Sequence, residues 1–163
     1  MPSWNLHRKY ARMFLESIGV SIDEKLIDDI NKLIDDPREF FEENKHLVEK
    51  IIKNCDETVA IVVHLRINWN LNFVSPIFAH DWGTHRLRMH SAVYVVRKIA
   101  ECIYGRVGEL LVDLHASLDA ISRWDMDLNT YVEWSRRLSI VDEVINFVKR
   151  IWNLLIEDIH QEK

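Results

Sequence analysis

Apolar and polar positions along this chain recur at spacings of three and four with few glycines or prolines between them. That is the period of an amphipathic helix, not the alternation of a strand. The pattern predicts an all-α fold, a single-domain bundle of about five to seven helices over residues 1–163. Trp4, Tyr10, Ala11, Phe14, Leu15 and Ile18 make a first stripe, opened by a Ser3 cap and closed by Gly19. Ser21 and Glu24 have the S-x-x-E form of a capping box ahead of a second stripe, Ile22, Leu26, Ile27, Ile30, Leu33 and Ile34. Pro37 suits the first turn of a short segment reaching Asn44, and two more helical stretches run from Lys45 to about Asn68, before a loop at 69–72. Ser75 and Pro76 read as the cap and first-turn proline of a long helix ending near Ile103, with a break at Tyr104, Gly105 and Arg106. Leu110, Leu111, Leu114, Leu118 and Ile121 mark the next helix, 125–129 a loop, and the region from Asn129 or Thr130 to near His160 the last helical stretch, interrupted at Ser139.

Composition narrows the class. With 48% apolar residues and a formal charge of -5, the chain is too hydrophobic and too weakly charged to be disordered. At 163 residues it can bury roughly 70% of its unfolded surface, so a metal would serve chemistry and not folding. The longest apolar runs, 59–63 and 92–96, fall far short of the roughly 20 residues that span a bilayer, so no membrane partner is expected. The opening Met-Pro-Ser-Trp-Asn-Leu-His-Arg lacks the basic and apolar regions of a secretory leader, and the expected location is cytoplasmic. Cys55 and Cys102, with no C-x-x-C spacing, are expected to be buried free thiols.

Charge is uneven: residues 23–57 carry twelve acidic and six basic side chains, and residues 84–106 five basic and one acidic. Arg86, Arg88, Arg97, Lys98 and Arg106 could meet a phosphate or an acidic partner, or could form a solvated face. A small RNA-binding module using Arg86, Arg88 and Arg97 is a third-ranked reading. Net acidity and a pI near 5.9 argue against general duplex DNA binding.

The densest polar cluster is HDWGTHRLRMH, from His80 to His90. Imidazoles and carboxylates are the usual ligands of zinc and of harder divalent ions, which makes His80 and Asp81 candidate metal ligands. HASLD places His115 and Asp119 four residues apart, on one face of a helix, as a second candidate pair. A hairpin at Gly105 would set the two helices antiparallel, but a mismatch on the order of 15 Å along the axis demands a break before the pairs can meet. His85 could then handle protons, while Arg86 or Arg88 held a substrate phosphate. His64 reads as a core histidine and His160 as solvated; His7 could be a ligand, with a surface residue of the first helix the simpler account. Trp69, Trp82, Trp124, Trp134 and Trp152 read as packing residues. No Gly-rich phosphate loop, G-x-S-x-G elbow or H-E-x-x-H occurs.

IFAHDWG resembles the His-Asp helix of the HD-domain metal-dependent phosphohydrolases, an all-α family. That resemblance implies ligands in the order His46, His80 with Asp81, and Asp113 or Asp119. HASLD is similar to the H-x-x-x-D element of helical zinc-dependent phospholipase C-like proteins, to which Trp4 and His7 add amino-terminal counterparts. Both imply a phosphoester hydrolase using a divalent metal ion (zinc, manganese, iron or nickel), acting on a phosphorylated small molecule or nucleotide. The alternative is a non-catalytic interaction protein, a homo-oligomer whose interface uses Val132, Leu138, Val141, Val144, Ile145, Val148, Ile151, Trp152 and Leu155, positions that could serve a core equally well.

Overall fold

The computed structural model describes residues 2–55 and 89–163, all helical or in turns, with no strand among them. In chain order the helices are α1 (Trp4–Ser17), α2 (Glu24–Asp35), α3 (Pro37–Glu43), α4 (Lys45–Asn54), α5 (Met89–Tyr104), α6 (Arg106–Trp124), α7 (Leu128–Arg137), α8 (Asp142–Arg150) and α9 (Trp152–Glu162). Nine helices among the described residues exceed the expected five to seven, because single residues cut runs that the apolar period leaves continuous. The division at Asn44 between α3 and α4 is the expected one, whereas Ile151 divides α8 from α9 within a stretch read as continuous.

Most ends follow local chemistry. Ser3 Oγ accepts from the Leu6 N–H, and the left-handed Gly19 lets Gly19 N and Val20 N reach back to Glu16 O and Leu15 O. The start of α2 is two residues later than the S-x-x-E pattern suggests. Asp23, not Ser21, is its cap, accepting from Leu26 N at 3.1 Å, which leaves Glu24 free to pair with Arg12 on α1 at 2.8 Å. Ser139, at φ 56°, marks the expected interruption before α8. The loop expected at 125–129 is shorter, because Asp127 caps α7 through Thr130 N.

Helix α6 is the central element. It packs on α1, α2, α5, α7 and α8, and residues from Gly108 to Ser122 are buried on every side. Gly105, at φ 74°, turns α5 back against α6. The antiparallel register follows from Arg97 and Asp113, which meet eight residues to either side of that turn. Gly108 permits the close approach, since a Cβ there would sit 2.7 Å from Ala100 O.

Packing corrects two expectations and decides between the two roles left open for a third set of residues. Cys55 and Cys102 are not free thiols: α4 lies against α5, bringing the two Cα atoms within 5.9 Å, and they form a disulfide. Arg97 is not available to nucleic acid, being buried against Asp113. The apolar positions offered for a subunit interface are in the core, with Leu138, Val144, Ile145, Val148 and Leu155 buried and Val132, Val141, Ile151 and Trp152 packed against them. No helix of the described residues is long and apolar enough to cross a membrane.

Candidate metal centre

A helix surrounded on all sides must satisfy its own polar side chains. On α6, His115 and Asp119 lie one turn apart and face α1 and α2. Each of those helices answers with a polar pair of its own: Trp4 and His7 from α1, Asn31 and Asp35 from α2. His7 Nε2 lies 3.0 Å from Asp119 Oδ1, and His115 Nε2 lies 3.3 Å from Asp119 Oδ2 and 3.2 Å from Asp35 Oδ1. His115 Nδ1 meets Asn31 Oδ1 at 2.8 Å, and Trp4 Nε1–H donates to Asp35 Oδ2 at 2.7 Å. The two imidazoles stack face to face, 3.8 Å apart and within 6° of parallel. His7, His115 and Asp119 are buried, while the Asp35 side chain keeps 19% of its surface exposed.

The electrostatics follow from two carboxylates converging on one ring nitrogen. Burial opposes charge on His115, but attraction to Asp119 and Asp35 and the bonds to both outweigh it, raising its pKa to about 10. Burial likewise opposes charge on Asp119, yet His115 first and His7 second hold it far below the carboxylate range. Asp35, although desolvated, is also lowered, by His115 and the Trp4 indole. His7 is lowered by burial and by the cation stacked on it, against the pull of Asp119. Where Asn31 Oδ1 accepts from His115 Nδ1–H, the Nε2 edge between two carboxylates takes a positive charge, as a proton or as a metal.

The donor set fits a metal. Ligand atoms bonded to one ion at about 2.0–2.2 Å lie roughly 3.0–3.5 Å from each other, and the nitrogen–oxygen distances from His7 to Asp119 and from His115 to Asp119 and Asp35 fall in that range. One ligand atom from each of His7, His115 and Asp119 falls within a common 4.8 Å, so this buried group could hold a metal ion. Asp35 stands beside this group on the exposed side, its Oδ1 approaching His115 Nε2 at 3.2 Å. Imidazole with carboxylate and no thiolate suits zinc, manganese, iron or nickel. Two carboxylates leave the site at −1 with a protonated His115, whereas a divalent ion with neutral imidazoles brings it to zero.

Of the predicted ligands, His115 and Asp119 lie in this cluster; His80, Asp81, His85, Arg86 and Arg88 lie outside the described residues. His46 is exposed on α4 and does not approach it. Asp113 is engaged elsewhere, by Arg97 Nε at 2.7 Å and Val141 N at 2.9 Å. His7, expected on the surface, is only 3% exposed. Asn31 and Asp35 were not anticipated. Their signal was an asparagine on the buried side of the α2 stripe, one turn after Ile27, followed one turn later by a carboxylate.

Among the described residues, two buried side-chain atoms have no hydrogen-bond partner, His7 Nδ1 and Asn31 Nδ2. Both residues line one cavity of about 10 Å³, otherwise walled by Ala11, Ile27, Ile30, Leu111, Leu114, His115 and Leu118. Unpaired buried groups of this kind cost about 1–3 kcal/mol each. Comparison of the chain with protein-family models, with curated proteins and with solved structures finds no match.

Proposed function

We propose that the protein is a divalent-metal-dependent hydrolase acting on a phosphoester, with His7, His115, Asp119 and Asp35 as the residues that hold the ion. The observation that carries this reading is the convergence of two buried imidazoles and one buried carboxylate, His7, His115 and Asp119, with the Asp35 carboxylate beside His115. A bound divalent ion supplies Lewis-acid polarisation of a phosphoryl oxygen and a water activated near neutral pH. The chain's own residues do the rest. Asn31 orients His115 by accepting from Nδ1–H, and Trp4 orients Asp35 by donating to Oδ2, so both first-contact groups are held from behind. The Leu and Ile side chains around the cluster keep bulk water from it, and Asp35 marks the side that opens outward. The phosphoester class rests on the two resemblances, with a phosphorylated small molecule or nucleotide as substrate.

Metal analysis of tag-free protein tests the reading. Stoichiometric zinc, manganese, iron or nickel that disappears in both Asp119→Ala and His115→Ala supports it, followed by phosphatase and phosphodiesterase assays with added divalent ions. No metal after reconstitution with each ion sinks it. One arrangement of the same atoms dispenses with a cation: with the Asn31 amide turned over, Nδ2 would donate to a bare His115 Nδ1, leaving Nε2–H for the carboxylates. Asn31→Asp separates the cases, since a carboxylate can only accept and so enforces Nδ1–H.

Cytoplasmic location belongs to this proposal too, and the Cys55–Cys102 bond counts against it, because reducing compartments keep thiols free. Alkylation of thiols at the moment of cell lysis decides between them.

A further inference from the structure

We propose that Asn31 is the positioning residue shared by both imidazoles of the metal centre, holding His115 directly through Oδ1 and His7 through one water bound between Asn31 Nδ2 and His7 Nδ1. This rests on the metal-centre reading above and says how the site adapts to its ion.

The two buried atoms without partners belong to neighbouring residues of the same cavity, whose volume of about 10 Å³ approaches that of one water probe. The remaining side chains around it are aliphatic apart from His115, whose Nδ1 is already bonded to Asn31. One water between Nδ2 and Nδ1 therefore satisfies both orphans, and no other described side chain can.

The two connections differ in what they permit. An amide oxygen can only accept, so Oδ1 commits His115 to Nδ1–H and aims its Nε2 at Asp119 and Asp35. An amide nitrogen can only donate, so the water accepts from Asn31, while its other side is free to turn. It donates to a bare His7 Nδ1 when His7 gives Nε2–H to Asp119 Oδ1, and it accepts from Nδ1–H when Nε2 faces a cation. No atom need move for that exchange except the hydrogens. His7 can therefore switch tautomer as the metal arrives, whereas His115 keeps Nδ1–H throughout.

The test is long-range ¹⁵N–¹H spectroscopy of the ring nitrogens, without metal and with zinc, together with zinc titration of the wild type, Asn31→Leu and Asn31→Asp. In the wild type His7 is expected as Nε2–H without metal and Nδ1–H with it, and His115 carries Nδ1–H in both. Asn31→Leu is expected to weaken zinc about 10–100-fold and to shift the nitrogens of both rings. Asn31→Asp keeps the acceptor for His115, and the water can donate both to the new carboxylate oxygen and to His7 Nδ1, so without metal His115 is expected to keep Nδ1–H and His7 to keep Nε2–H against Asp119; this also guards against a leucine variant that fails to fold. Zinc affinity and ring shifts unchanged in Asn31→Leu, or loss of Nδ1–H from His115 in Asn31→Asp, overturn the role of Asn31 while leaving the metal centre standing. If the wild type takes no zinc, the function falls separately, and the metal-free tautomers still decide the role of Asn31.

Discussion

Helix α6 carries two buried polar clusters less than two turns apart, and they are built on opposite plans. Around Asp113 every lone pair in play is answered. Arg97 Nε and Val141 N take one oxygen each, Arg97 Nη2 reaches Leu138 O at 3.3 Å, and the Asp113 carbonyl accepts from Ser117 Oγ, which itself accepts from Tyr131. Around Asp119 two carboxylates crowd one imidazole edge, and two polar atoms behind them are left unanswered. The first cluster joins α5, α6 and the 138–141 turn, and its chemistry is closed. With Asn31 accepting from His115 Nδ1–H, the second keeps a charge requirement that the chain alone meets only with an added proton. Structural pairs exhaust their partners; a site meant to receive something does not.

The largest expected effect lies in the closed cluster. Asp113→Ala strands a buried guanidinium and should cost about 3–5 kcal/mol, read as a loss of roughly 10 °C in Tm. The double variant Arg97→Met with Asp113→Leu should recover most of that loss, and zinc stoichiometry should stay unchanged in both. Equal destabilisation by the double variant would show that the pair contributes more than charge compensation.

In the open cluster the balance should reverse. Asp119→Asn is expected to abolish metal binding by at least 100-fold while lowering stability less than Asp113→Ala does, because Asp35 still faces His115. Calorimetric zinc titration beside thermal unfolding reads both quantities. A variant that unfolds as readily as Asp113→Ala would make the second cluster structural as well.

Next comes pH. His115 has a native pKa raised from the ordinary 6.5 to about 10, so its contribution to metal-free stability is complete below pH 6.5, declines as pH rises through that interval, and is gone above about 10. Asp119 and Asp35, both lowered, contribute above the ordinary carboxylate range and lose that contribution as pH falls below it. The Tm of metal-free protein should therefore fall by roughly 5 °C or more between pH 6.5 and 10, and saturating zinc should remove that alkaline loss. His115→Leu should flatten the same limb; persistence of the slope would assign it to other groups.

The smallest effect is expected at the margin of the open cluster. Trp4→Phe deletes only the indole N–H on Asp35 Oδ2 and should weaken zinc a few-fold, with a stability change of about 1–2 kcal/mol. No change in zinc affinity would remove Asp35 from the ligand set.

Much of this protein is written in local pattern. The helical period, the Ser3 cap, the Gly19 terminus, the Gly105 turn and the break at Ser139 are all determined within a few residues, because backbone hydrogen bonds and φ preferences act over that range. The i, i+4 spacing of His115 and Asp119 is local too, and so was legible. What faces that pair was not. His7 looks like a surface histidine until α6 covers it, Asn31 looks like a flaw in an apolar stripe until an imidazole lies against it, and Asp113, six residues from Asp119, looks like its equal. The two aspartates differ by 240° around α6, and which one meets an arginine and which a pair of histidines depends on how α1, α2 and α5 pack about that axis. The same holds for Cys55 and Cys102, brought together across 47 residues by helix packing. Burial and convergence are properties of the assembled core, set by the sum of many weak contacts, and no single stretch of chain contains them.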